Sequence, residues 1–141
     1  MSKVVSLRLK DEQVQRLNRT ARRFGRTASE TAALLLEEAL RQDEFAFLEF
    51  RDSAGGRHAC VKGSRLTVWQ IISLARSFAG DAERVAEHLD VPVVWIRAAL
   101  AYAAAYPTEI DAAIADNDLD GEQLRRLIPG MTVVGVDALP A

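Results

Sequence analysis

The chain has 141 residues, nearly half of them hydrophobic and about a quarter charged, with a net charge of -2. That is an ordinary globular composition, and it excludes a disordered or low-complexity polypeptide. One cysteine, Cys60, excludes an intrachain disulfide, and no apolar run approaches the ~18 residues of a membrane span. The opening Met-Ser-Lys-Val-Val lacks a charged-then-apolar signal pattern, so a cytoplasmic location is expected. The small net charge conceals an asymmetry. Residues 1–42 hold nine Lys/Arg against five Asp/Glu, a net of +4, and residues 43–141 hold nine against fifteen, a net of -6. The basic part is the one expected to meet a polyanion.

In chain order, Val4 to Lys10 alternates as a strand does, with Val5, Leu7 and Leu9 on one side and Val4, Ser6 and Arg8 on the other. Nothing nearby in the sequence reads as its partner strand, so a second copy pairing antiparallel across a two-fold axis is the expected solution. Asp11 to Phe24 has a helical pattern that would bury Val14, Leu17, Ala21 and Phe24. Arg16, Arg19 and Arg23 lie on another stripe of that helix, with Arg22 beside it. Gly25 supplies a left-handed cap, and Thr27-Ala28-Ser29-Glu30 reads as a capping box opening a second helix to Leu40. That helix would bury Ala32, Leu36 and Leu40, flanked by Ala28, Leu35 and Ala39. Its N-terminal N–H groups form an anion site suited to a DNA phosphate.

This succession across residues 3–42 resembles the ribbon-helix-helix repressors of the Arc, CopG and MetJ type. The resemblance implies an intertwined dimer whose outward strand residues, here Val4, Ser6 and Arg8, read bases in the major groove. Val4 stands where a polar residue is more usual, whereas the Arg8 guanidinium can hold guanine O6 and N7 together. Lys3, Lys10, Arg26, Thr27, Ala28 and Ser29 are the expected phosphate contacts.

Gln42-Asp43-Glu44 reads as a polar hinge, after which Phe45–Arg51 and Arg57–Lys62 form a hairpin about a Ser53–Gly56 turn. Helices follow over Trp69–Phe78, Ala82–Leu89, Pro92–Tyr106 and from Pro107 to about Asn117. Ala82 to Ala101 fits a helix-turn-helix template, with Asp90 at the turn position where glycine is usual. The exposed face of its second helix, Val93, Val94, Arg97, Ala98 and Ala101, carries one basic residue. It suits protein docking better than DNA.

Gly63-Ser64-Arg65-Leu66-Thr67-Val68, Ala98 to Tyr102 and Glu109-Ile110 make residues 45–114 similar to a small antitoxin-associated domain of VapB type. That similarity implies a PIN-like ribonuclease toxin as partner. The expected fold is therefore mostly α with short β elements: a ribbon-helix-helix at 1–42, then a β-hairpin with a helix-turn-helix-like domain at 43–117. A tail at 118–141 follows, in which Asn117 to Gly121 ends the fourth helix, Glu122 to Leu127 adds a turn or two, and Met131 to Val136 reads as a strand. Val93, Val94 and Arg97, with Arg125 and Arg126 in the tail, are the partner-binding candidates.

Other chemistries fare worse. His58 and Cys60 share a face of a strand, but His88 lies thirty residues on and no fourth ligand is obvious, so no metal or other cofactor is expected. No nucleophile elbow, phosphate-binding loop or zinc-protease pair occurs, and Asp111, Asp116, Asp118 and Asp120 read as solvated acids, so no catalysis is expected. The expected function is a DNA-binding antitoxin and autorepressor, a homodimer with higher oligomers left open. The alternative is a ligand- or metal-responsive repressor without a toxin.

Overall fold

The structure is a computed structural model, described over residues 2–53 and 56–127, with side chains up to Asn117. It is mostly helical, with a two-stranded antiparallel sheet. The chain divides into two compact units between Glu44 and Phe45.

In the first unit, residues 2–10 belong to no regular element in the single chain and are exposed throughout. α1 (Asp11–Phe24) starts at Lys10, whose backbone N–H donates to Gln13 Oε1 at 2.9 Å. It ends at Gly25 in left-handed geometry (φ 64°), where the Gly25 and Arg26 N–H groups reach the Arg22 and Ala21 carbonyls. α2 (Ala28–Glu44) is capped by Thr27, whose hydroxyl accepts from the Glu30 N–H at 3.1 Å. The expected hinge at Gln42–Glu44 is instead the last turn of this helix. All three residues tolerate helix and no breaker intervenes, so the chain turns only at Phe45–Phe47, where Phe47 adopts φ 65°.

The expected burial in this unit holds only in part. Ala21 is buried and Leu17 and Phe24 are half-buried, but Val14, Leu36 and Leu40 are exposed, while Thr31 and Glu38 of α2 are buried. Two helices cover only one side of each other, and the outer apolar stripe of α2 finds no cover within its own unit.

The second unit has a continuous core. β1 (Leu48–Ser53) pairs with β2 (Gly56–Val61) in the register Leu48↔Val61 to Ser53↔Gly56. β1 starts three residues later than expected, because left-handed Phe47 cannot continue a strand, although its carbonyl still accepts from the Lys62 N–H. Gly63 (φ 81°) then turns the chain, and the Ser64 hydroxyl donates to the Val61 carbonyl and accepts from the Leu66 N–H. Thr67 and Gln70 close a reciprocal cap on α3 (Val68–Ser77). The Gly63–Val68 motif is thus accounted for locally as a turn followed by a helix start.

α4 (Ala82–Leu89) is capped by Asp81 and ends at Asp90, which takes the left-handed conformation (φ 54°) expected of it. α5 (Val93–Ala105) packs on α3 and α4, and α6 (Pro107–Leu127) packs on α3 and α5. Val61, Val68, Ile71, Val85, Ile96, Ala99 and Tyr102 are fully buried where these elements meet. The Tyr102 ring meets Phe45 edge-on at 5.4 Å, and its hydroxyl donates to Glu109 Oε2 at 2.5 Å. α6 does not stop at Asn117: its backbone stays helical through Gly121 to Leu127. A single helical glycine costs only about 1 kcal/mol, and the first proline after Pro107 is Pro129. The strand expected at Met131–Val136 lies outside the described residues. No helix among the described residues is long and apolar enough to cross a membrane.

Candidate nucleic-acid interface

The first unit gathers the residues suited to a polyanion, and their setting follows from the local backbone. Lys3, Val4, Ser6, Arg8 and Lys10 are all exposed along the N-terminal segment. On the same segment Val5 and Leu7 are 80% and 73% exposed, and Leu9 45%. The segment therefore presents polar and apolar residues alternately, and in the single chain neither set is covered.

At the α1–α2 turn, Arg26, Thr27 and Ser29 are exposed and Ala28 half-buried. The Thr27 hydroxyl is engaged with the Glu30 N–H, so Ala28 and Ser29 offer the free first-turn N–H groups that a phosphate oxygen needs. Arg8 and Arg26 carry no ion pair among the described residues, which leaves both guanidiniums available to an external anion.

Five other arginines are paired with carboxylates of the chain. Arg41 pairs with Glu37, Arg51 with Glu49, Arg57 with Asp52, Arg76 with Asp111 and Arg97 with Glu83. Asp111, expected as a solvated acid, is thus tied to α3 by Arg76, and Arg97 is held by Glu83 of α4 at 2.5 Å. On the expected docking face Val94 and Ala101 are exposed, but Val93 and Ala98 are half-buried, so that face is narrower than helical spacing alone indicates. The backbones of Arg125 and Arg126 lie in α6, and their side chains lie outside the described residues.

The candidate metal ligands are not brought together. His58 faces the Trp69 ring, His88 faces Phe78, and no group of three His, Cys, Asp or Glu residues converges among the described residues. Cys60 is buried, and desolvation pushes its thiol above the ordinary value despite the nearby Arg51 charge. A raised acid pKa means that folding disfavours the thiolate. Stability is therefore flat below the unfolded thiol value and lost as pH rises through it toward the folded one. The thiol is expected to resist iodoacetamide at pH 8 while the second unit is folded and to react at the rate of a free thiol in denaturant; fast native labelling would contradict this.

No family model, no curated protein and no solved structure matches the chain.

Proposed function

We propose that the chain is a dimeric DNA-binding antitoxin and autorepressor. On this reading two copies of the 2–10 segment pair as an antiparallel ribbon of the ribbon-helix-helix kind, which enters the major groove of operator DNA. The helix-turn-helix-like second unit, with the region after it, neutralises a PIN-like ribonuclease. One observation carries the reading: Val5, Leu7 and Leu9 alternate along an exposed N-terminal segment that no strand within the described residues meets, and Leu36 and Leu40 of α2 are exposed as well. An apolar, β-prone segment with a free edge is costly to leave in water, and a second copy covers both the edge and the apolar side at once. The covered ribbon then turns Val4, Ser6 and Arg8 outward to the bases, with Lys3, Lys10, Arg26, Ala28 and Ser29 at the flanking phosphates.

The test is footprinting of the full chain on the DNA upstream of its own gene, with sedimentation of the free protein. A protected inverted repeat and a dimer are expected, and a monomer that protects nothing would sink the reading. Within that assay Arg8→Ala is expected to weaken discrimination at one base step per half-site by about 1–3 kcal/mol, while binding to scrambled DNA changes less. Unchanged discrimination would remove Arg8 from base readout.

A further inference from the structure

α1 carries a second basic surface, distinct from the ribbon and from the α2 N-terminus. Arg16, Arg19 and Arg22 are exposed, and each lies two residues, about 200° around the helix, from an apolar position: Val14, Leu17 and Phe24 respectively. The three therefore share the side of α1 turned away from its apolar stripe. Arg19 and Arg22 line an open groove together with Gln15 and Asn18, whose amides are further hydrogen-bonding groups. The only acids of α1 are Asp11 and Glu12 in its first turn. Arg23 is set apart from this group, its guanidinium lying over the Phe24 ring at 5.2 Å.

Two features say what such a surface fits. Arg16, Arg19 and Arg22 form no ion pair among the described residues, although carboxylates engage Arg41, Arg51, Arg57, Arg76 and Arg97. Among the described residues no aromatic or aliphatic side chain lines the groove, so they offer nothing on which a base or an apolar peptide anchor would rest. A rise of about 1.5 Å per residue spreads the three arginines over about 9 Å, and one strand of duplex DNA carries a phosphate per about 3.4 Å of axis. We infer that the outer face of α1 binds the phosphate backbone of duplex DNA through Arg16, Arg19 and Arg22, beyond the contacts made by the ribbon. The inference rests on the DNA-binding reading and enlarges its footprint. It assigns these arginines to affinity and salt dependence, and none of them to sequence choice.

The experiment compares the full chain with the R16Q/R19Q/R22Q variant on a fluorescent 30-base-pair mixed-sequence duplex between about 50 and 200 mM KCl, a range over which counterion release dominates. Glutamine is a good helix former, so the exposed substitutions leave α1 helical, which circular dichroism verifies. The slope of log affinity against log salt is expected to fall by about 0.9 for each phosphate that is no longer neutralised, hence by roughly 2 to 3 per protomer. Equal slopes in two proteins that both bind would overturn the α1 surface and leave the DNA-binding reading standing. Failure of the unsubstituted chain to bind even at the lowest salt would overturn both. If the slope is unchanged but the variant loses low-salt self-association in the ultracentrifuge, the stripe holds the acidic half of another copy, which also overturns the inference.

Discussion

Leu7→Glu is expected to leave the chain monomeric and to abolish binding to its operator. Leu7 lies at the middle of the apolar set Val5, Leu7 and Leu9, and 73% of it is exposed in the single chain. Covering a leucine side chain completely contributes about 1.5–3 kcal/mol, and a two-fold interface counts the loss twice. A glutamate at that position would have to shed its hydration in an apolar contact, with its two-fold mate nearby as a like charge. The summed penalty is comparable with the whole stability of a small dimeric unit. Sedimentation equilibrium at tens of micromolar should therefore show monomer. Thermal melting should separate the units, because the second keeps its own core around Tyr102, Ile96 and Val85. Ser6→Ala, one residue away on the other side of the segment, is the matched control and should stay dimeric. A dimeric Leu7→Glu variant would place the contact between copies elsewhere on the chain.

What could be read from the sequence, and what could not, follows from where each signal comes from. Local signals were legible residue by residue. Gly25 and Asp90 end α1 and α4 in left-handed geometry, and Pro92 and Pro107 mark the starts of α5 and α6. Negative signals were weaker. The polar runs Gln42–Glu44 and Asn117–Gly121 look like breaks, yet polar residues cost a helix little, and both runs are helical. Periodicity identifies an apolar stripe without saying what covers it. Leu36 and Leu40 were expected to be buried, but in the single chain Thr31 and Glu38 are the buried residues of α2 and both leucines are exposed. The same limit applies at Val5, Leu7 and Leu9, whose alternation indicates a strand only if another chain provides its mate. The α1 arginines were visible as a stripe. Which of them lack a carboxylate was not, because that depends on side chains meeting in space.

Truncation after Asn117 is expected to leave dimerisation and DNA binding intact while abolishing neutralisation of a PIN-like nuclease encoded beside the gene. Several anchors of α6 lie before the cut. Ile110, Ala113 and Ile114 are buried, Asp111 pairs with Arg76, and Glu109 accepts from Tyr102, all before residue 117. Removing the helix beyond these anchors should fray about one turn and shift the melting temperature by only a few degrees. Function is expected to respond differently, for an electrostatic reason. A nuclease site built on carboxylates and a metal attracts guanidinium groups. Arg97 is already paired with Glu83, whereas Arg125 and Arg126 are the only basic residues after it in the sequence. The double variant Arg125→Ala with Arg126→Ala should therefore reproduce much of the truncation's defect, and Arg97→Ala should not. Growth of cells co-expressing the nuclease with each variant reads the outcome. Full rescue by the truncated chain would show that inhibition resides before residue 118, with the exposed Val94 and Ala101 of α5 as the next surface to substitute.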